Sequence, residues 1–288
     1  MAARPRTLPA AIAPVLVGTA AAVQWYGSLP RWGAFVAALV GSIFIQIGTN
    51  LANDYSDAKR GADTADRLGP VRVTASGMVT PQRVMTATWI AFAVAVACGL
   101  YLWSVAGFGI FLIGLFSIAA GVLYTGGPRP YGYEGFGEVF VFLFFGLVAV
   151  NGSYYVQLEE LDALPLGLSI SIGFLAAAII VVNNVRDVET DRRAGKNTLA
   201  VQIGRERAVG LYRLLLAGGF LVLPIALVAG DASLLPMIGW LAAPLAVKPA
   251  KTLAERRDGP ALNEVLAQTG AVLGVFSLLV TIGLLISA

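Results

Sequence analysis

Histidine is absent from this chain, and cysteine occurs only once, at Cys98. The missing imidazole excludes histidine-based acid–base catalysis, histidine-ligated zinc and haem held through histidine. A single cysteine excludes an intrachain disulfide, and Cys98 lies in an apolar run where packing is its expected role. Charged residues make up only 13% of the 288 residues, whereas hydrophobic residues make up 57%. This composition is too apolar for a soluble domain.

Apolar segments of about 20 residues, long enough to cross roughly 30 Å of hydrocarbon, recur along the chain. We predict about nine of them: 8–26, 31–52, 84–104, 107–124, 137–157, 164–184, 208–229, 232–250 and 262–287. The segment 232–250 is the least regular because it contains Pro236 and Pro244. The first segment lacks a convincing cleavage site and is expected to be a retained helix. The chain is therefore predicted to be one all-α domain, residues 1–288, of a polytopic membrane protein.

The positions of lysine and arginine predict the orientation. With the N-terminus inside, the tail and inner loops hold every Lys and Arg except Arg31, with Arg213 just inside its segment. The inner loops are 53–83, 125–136, 185–207 and 248–261. The N-terminus is therefore predicted to be cytoplasmic. The net charge of +3 reflects this orientation and contact with anionic lipid rather than nucleic-acid binding.

Two acidic motifs end long apolar segments: N-L-A-N-D-Y-S-D at 50–57 and N-N-V-R-D-V-E-T-D at 183–191. Residues three and four apart share a helix face, so each motif forms a polar stripe. The stripes are Asn50, Asn53, Asp54 and Asp57, and Asn183, Asn184, Asp187 and Asp191. A carboxylate at the bilayer centre costs about 2.5–3.5 kcal/mol, which suggests a bound partner that offsets the repulsion. Hard oxygen ligands suit Mg²⁺, so we predict a central cavity, open to the cytoplasmic side, where Mg²⁺ holds a diphosphate.

Alternatives to a metal site remain at this level. The shared Asn-to-Asp spacing of four residues indicates either an internal duplication or a coincidence in a chain whose composition is dominated by few residue types. Acids flanked by basic residues also occur in solvated loops. Basic side chains near the motifs are candidates for phosphate contacts, among them Lys59, Arg72, Arg129, Arg186 and Lys196.

Further motifs accompany the two acidic ones. They are A-R-P-R-T-L-P-A-A-I-A-P-V-L-V-G-T at 3–19, T-A-S-G at 74–77, G-P-R-P-Y-G-Y at 127–133 and K-N-T-L-A-V-Q-I-G at 196–204. With them the chain resembles the intramembrane aromatic prenyltransferases of the UbiA type. The specific motifs cover about the first 210 residues, and they are most similar to members that prenylate 1,4-dihydroxy-2-naphthoate.

The resemblance implies transfer of a polyprenyl group from polyprenyl diphosphate to 1,4-dihydroxy-2-naphthoate, with loss of CO₂, in menaquinone synthesis at the bacterial cell membrane. It implies that Asp54, Asp57, Asp187 and Asp191 bind Mg²⁺ and the diphosphate, supported by Asn50, Asn53, Asn183 and Asn184. The chain departs from the pattern twice. Gly61 stands where many relatives carry a third Asp, and Arg129 takes the place of a lysine that follows a tyrosine, here Tyr124.

The mechanism implied by the resemblance assigns further roles. Aromatic faces of Tyr55, Tyr124, Tyr131 and Tyr133 can stabilise an allylic cation, although each also fits an interfacial belt. Arg4 or Arg6 can pair with the acceptor's carboxylate, or simply anchor the N-terminus. The polar stretch 58–83 is predicted to fold over the cavity and exclude water.

Other functions remain possible. A cation-coupled transporter would also place acids in membrane helices, and 4-hydroxybenzoate is an alternative aromatic acceptor. The D-G-x-x-A-R signature of CDP-alcohol phosphotransferases is absent.

Overall fold

The computed structural model describes residue 4, residues 7–61, 68–69 and 72–288. Its regular elements over these ranges are all helical, which confirms the predicted all-α class. The α-helices are α1 Leu8–Tyr26, α2 Trp32–Lys59, α3 Pro81–Ala106, α4 Phe108–Leu123, α5 Gly137–Val141, α6 Ala149–Leu158, α7 Ala163–Arg193, α8 Leu199–Ile203, α9 Arg205–Ala229, α10 Ala243–Glu255 and α11 Gly259–Ile286.

Among the described residues, seven helical stretches are long and apolar enough to cross a membrane. One of them, Gly137–Leu158, joins α5 and α6 through a π-helical segment at Phe142–Val148. The 16-residue α4 is apolar but shorter. The predicted segment 232–250 forms a 3₁₀ helix, Leu235–Ala242, followed by α10. Pro236 and Pro244 lie in the first turns of these two pieces, where a missing N–H leaves no helical hydrogen bond unmade.

Helices α2 and α7 extend past the predicted segment ends at 52 and 184. They contain 28 and 31 residues, which correspond to about 42 and 46 Å of helix, longer than the roughly 30 Å of hydrocarbon. Their last turns therefore project beyond the apolar layer. These turns carry the two acidic motifs, so the carboxylates lie on helices rather than in loops.

Helix α7 forms the centre of the bundle and packs against α1, α9, α11 and the π-helical segment. Gly146 and Gly173 face each other at the contact with that segment. A Cβ on Gly146 would lie 2.6 Å from both the Gly173 Cα and the Ser169 carbonyl oxygen. Because both obstacles are backbone atoms, only glycine permits this close approach. The contact holds α7 against the π-helical segment.

A polar clamp joins three helix ends at the opposite end of the bundle from the acidic motifs. The Arg31 backbone N–H donates to Gln157 Oε1 at 2.9 Å, and Gln157 Nε2 donates back to the Arg31 carbonyl at 3.2 Å. The Arg31 guanidinium also donates to the Val105 and Val156 carbonyls and pairs with Glu159 at 2.5 Å. The clamp satisfies helix-terminal carbonyls that would otherwise lack partners.

Candidate active site

A stripe of polar residues runs along α2 toward its acidic end. Ser42 Oγ donates to the Ala11 carbonyl at 2.8 Å, and Gln46 and Asn50 both donate to Thr7 Oγ1, at 3.0 and 3.2 Å. The stripe therefore ties α2 to the start of α1. Sequence reasoning included Asn50 but missed Ser42 and Gln46, although all three are spaced by four residues.

Asp57 is bound by three side chains and is 1% exposed. Arg72 Nη2 donates to its Oδ2 at 2.7 Å, and the Tyr133 hydroxyl donates to its Oδ1 at 2.6 Å. Lys196 Nζ lies 3.5 Å from the same Oδ1 and 4.5 Å from the centre of the Tyr133 ring. Three side chains from segments that are distant in sequence thus contact one carboxylate. A buried carboxylate needs such hydrogen-bonded and charged partners to offset the loss of hydration.

Asp54 has a different environment from Asp57. Its two carboxylate oxygens accept hydrogen bonds from the backbone N–H groups of Val73 and Thr74, at 3.2 and 2.9 Å. Asp54 is 2% exposed and is not among the residues that line the cavity. In this conformation it holds the turn that begins at Arg72 against the end of α2.

On α7, Asp187 pairs with its own neighbour. Arg186 Nε and Nη2 donate to the two Asp187 oxygens at 2.8 and 2.6 Å. Arg186 also donates to Asn183 Oδ1 and to Asn263 Oδ1 of α11, both at 2.8 Å. Asn263 in turn donates to the Leu68 carbonyl at 2.9 Å. This chain of bonds connects the second acidic motif with the segment that follows the first.

Glu138 is a site residue that sequence reasoning missed. Its Oε1 accepts a 2.8 Å hydrogen bond from Asn184 Nδ2, and both residues are buried, at 6% and 4% exposure. The available signal was a lone carboxylate at the start of the predicted apolar segment 137–157, because ionisable residues in membrane helices tend to be functional.

The connection after α4 folds back under the cavity. The Gly132 N–H donates to the Tyr124 carbonyl at 3.0 Å, and the Asn197 N–H donates to the Tyr133 carbonyl at 2.8 Å. Thr125 Oγ1 donates to Asn53 Oδ1 at 2.8 Å.

Several of these side chains line one end of a cavity of about 340 Å³. The predicted site residues in its wall are Asn50, Asn53, Asp57, Arg72, Tyr124, Asn183, Asn184, Asp187, Asp191 and Lys196. Asp54, Lys59, Arg129 and Arg186 are not in the wall; Lys59 and Arg129 are exposed, while Arg186 contacts wall residues. Arg6 lies outside the described residues.

The other end of the cavity is apolar. It extends between α2, α3, α4 and α6 and is lined there by side chains such as Leu102, Ile110, Phe144 and Val156. A charged end that continues into an apolar end matches a ligand with an anionic head and a hydrocarbon tail.

The donor set was also assessed for a metal ion. Within the described ranges, no group of three or more carboxylates or thiols is close enough to form a metal site alone. The wall does contain Asp57, Asp187 and Asp191 together with four asparagine amides. Mg²⁺ usually takes one or two carboxylates and completes its shell with water and substrate phosphates. The residues therefore fit Mg²⁺ that is bound together with a phosphorylated ligand, rather than in a preformed protein cage.

Known proteins are similar to this chain over most of its length. The sequence model of the UbiA prenyltransferase family matches residues 11–270 of this chain. The chain is 44% identical to 1,4-dihydroxy-2-naphthoate octaprenyltransferase of Mycobacterium tuberculosis over 279 residues, covering 96% of this chain and 93% of that protein. It is 38% identical to the enzyme with the same name from Escherichia coli over 292 residues, covering 99% and 94%.

Two solved structures share the fold. A UbiA homologue from Archaeoglobus fulgidus bound to DMAPP and Mg²⁺ has a TM-score of 0.65 at 18% identity, covering 98% of this chain and 97% of that one. The apo structure of a UbiA homologue from Aeropyrum pernix has a TM-score of 0.71 at 12% identity, covering 96% of each chain.

Proposed function

Because the chain belongs to the UbiA prenyltransferase family, we propose that it transfers a polyprenyl group from polyprenyl diphosphate to 1,4-dihydroxy-2-naphthoate, with release of diphosphate and CO₂. The acceptor is supported by the names of the relatives, which match nearly the full chain at 38–44% identity. The product would enter menaquinone synthesis.

The observation that carries the proposal is the two-ended cavity. Its acidic and basic end suits a metal-bound diphosphate, and its apolar end suits an isoprenoid tail. An enzyme for a water-soluble donor would not need a charged site that opens directly into a hydrocarbon-lined space.

Mg²⁺ is the proposed cofactor, and Asp57, Asp187 and Asp191 would hold it with the neighbouring asparagine oxygens. When bound, the metal neutralises charge that develops on the departing diphosphate. The A. fulgidus homologue bound to Mg²⁺ and DMAPP supports the choice of metal.

The chain's own cations contribute to the same task. Arg72 and Lys196 line the cavity beside Asp57, where they can also contact phosphate oxygens. Arginine does this with two parallel hydrogen bonds. The rings of Tyr124, Tyr131 and Tyr133 border the charged end, and an aromatic face stabilises a desolvated cation by about 2 kcal/mol. These faces would support an allylic cation without capturing it.

Water must be kept from such a cation. Asp54 and Asp57 hold the segment from Arg72 to Thr74 over the end of α2 through side-chain bonds. We assign this segment the role of the water-excluding cover predicted for residues 58–83.

The chain is a multi-pass membrane protein. We propose that its N-terminus and charged site face the cytoplasm, in agreement with the distribution of Lys and Arg. Residue Thr7, just before α1, bonds to the acidic half of α2, so both lie at the same end of the bundle.

The test is transfer by purified protein in lipid vesicles. We expect octaprenyl diphosphate and 1,4-dihydroxy-2-naphthoate to give a prenylated, decarboxylated product by mass spectrometry, and EDTA to abolish it. Product from 4-hydroxybenzoate in preference to the naphthoate would overturn the acceptor assignment. No product with either acceptor would overturn the transferase assignment.

A further inference from the structure

Glu138 has no role in the chemistry described above, yet it is a buried carboxylate in a membrane-spanning stretch. Its Oε1 accepts from Asn184 Nδ2 at 2.8 Å, while its Oε2 is buried without a hydrogen-bond partner among the described residues. Leaving a buried polar atom unpaired is costly, so a carboxylate here needs a purpose that an apolar residue would not serve.

The partner of Glu138 identifies that purpose. Asn184 lines the charged end of the cavity together with Asp187 and Asp191, whereas Glu138 does not line it. Glu138 therefore acts on the site through Asn184 rather than by touching a ligand.

The chemistry of the bond fixes the orientation of the amide. The Asn184 NH₂ donates to Glu138 Oε1, so the amide presents its nitrogen to the carboxyl group. The amide is planar, and its carbonyl oxygen Oδ1 then points away from Glu138. Without this constraint the amide could rotate by 180° and present its NH₂ to the cavity, which would repel a cation.

Glu138 is held by the backbone of α5, where it lies in the first turn. Close packing of α5 against α7 brings the two side chains together, since a Cβ on Gly137 would lie 3.8 Å from Ile180 Cγ1. The pair is thus held by two helices rather than by a mobile loop.

We infer that Glu138 is a positioning residue, which fixes the Asn184 amide with its oxygen toward the cavity as an acceptor for the metal–diphosphate ligand. This inference rests on the proposed function, and it adds a residue that the acidic motifs do not contain. Hydrogen-bonded partners of metal ligands typically change metal affinity by about 10–100-fold when they are removed.

The experiment uses four variants of the full-length protein: Glu138→Leu, Glu138→Gln, Asn184→Asp and the double variant Glu138→Gln with Asn184→Asp. For each, we would measure the Mg²⁺ concentration that gives half-maximal transfer. In parallel, we would measure the rise in unfolding temperature caused by Mg²⁺ with inorganic diphosphate. Exposed Glu134, replaced by Gln, is the matched control.

We expect Glu138→Leu to raise the half-saturating Mg²⁺ concentration at least about tenfold and to reduce the thermal shift. Glu138→Gln should have a milder effect because its amide oxygen can accept the same bond. Asn184→Asp alone places two carboxylates against each other and should impair Mg²⁺ use strongly. In the double variant, the Gln amide can donate to the new carboxylate, so Mg²⁺ use should recover.

Recovery of Mg²⁺ use in the double variant would identify a positioning role. If Glu138 only stabilised the fold, changing the polarity of both residues would not restore Mg²⁺ use. Wild-type Mg²⁺ dependence in Glu138→Leu, or a double variant no better than Asn184→Asp, would overturn the inference. A wild-type protein without transfer or thermal shift would instead count against the proposed function itself.

Discussion

Three aspartates of the acidic motifs have different bonding partners. Asp57 is bound by Arg72, Lys196 and Tyr133, and Asp187 by Arg186. Asp54 is bound by backbone N–H groups instead. Asp57 and Asp187 each have a protein cation beside them, which compensates part of the charge of a buried carboxylate.

Asp187 provides the most direct test of the metal assignment. Asp187→Asn removes a charge from the cavity wall while keeping one oxygen as an acceptor for Arg186. We expect kcat to fall by about 100-fold or more, the range seen when a single electrostatic contact to a transition state is lost. Transfer of the prenyl group should be measured across a range of Mg²⁺ concentrations.

Glu189→Gln is the control for Asp187→Asn, because the Glu189 side chain is 78% exposed and pairs with Arg192 on the surface. That variant should transfer at the wild-type rate. Normal turnover by Asp187→Asn at saturating Mg²⁺, with the protein folded and inserted, would contradict a role for Asp187 in metal binding.

At the residue level, the sequence predicted which side chains carry charge into the site but not which atoms they meet. The cavity wall contains three of the four predicted aspartates and all four asparagines. Glu138 was missed because it is a lone carboxylate at the start of an apolar run and its partner Asn184 is distant in sequence. Gln46 was missed although it continues the spacing of Ser42 and Asn50, because its partner Thr7 lies on another helix end. Such pairings depend on how helices pack, which a single sequence does not specify.

At the level of elements, hydropathy located the helices well because about 30 Å of hydrocarbon demands a run of about 20 apolar residues. It placed the ends of α2 and α7 too early, since their last turns are polar and lie beyond the apolar layer. The π-helical segment Phe142–Val148 was not predicted. No sequence periodicity marks it, and its close packing against α7 depends on Gly146 and Gly173.

Gly146→Ala tests that packing. The added Cβ would meet two backbone positions at 2.6 Å, which cannot yield as a flexible side chain can. We expect a loss of about 1–3 kcal/mol in the free energy of unfolding, as is typical of overpacking. Unfolding in detergent, followed by circular dichroism, would measure it.

Gly210→Ala serves as the comparison, because a Cβ at that α9 position meets nothing within 4 Å. Alanine is the better helix former, so this variant should be at least as stable as the wild type. Equal stability of the two variants would show that the contact between α7 and the π-helical segment is looser than described here.

At the level of the whole molecule, the helices meet around a space that no single element forms. The charged end of the cavity uses α2, α7 and three connections, and the apolar end uses α2, α3, α4, the π-helical segment and α6. The sequence indicated a cavity from the two acidic stripes, but not its walls. The position of an apolar channel depends on which helix faces are left without a packing partner.

Under the proposed function, the length of this apolar channel would determine which donors fit, and Gly114 on α4 provides a way to shorten it. Gly114 lines the cavity, and a Cβ there would meet nothing within 4 Å, so a larger side chain would extend into free space. We expect Gly114→Phe to retain transfer from a short donor such as geranyl diphosphate and to lose at least about tenfold in kcat/KM with octaprenyl diphosphate. The reason is steric, since overfilling a packed apolar site costs about 1–3 kcal/mol.

Gly109→Phe is the matched control, on the same helix but exposed and outside the cavity wall, again with no atom within 4 Å of an added Cβ. It should treat both donors as the wild type does. Competition between the two donors in one reaction, with products resolved by mass spectrometry, measures the preference directly. An unchanged preference in Gly114→Phe would place the tail elsewhere, along a lipid-facing surface of the bundle, because a tail inside the channel could not avoid the new ring.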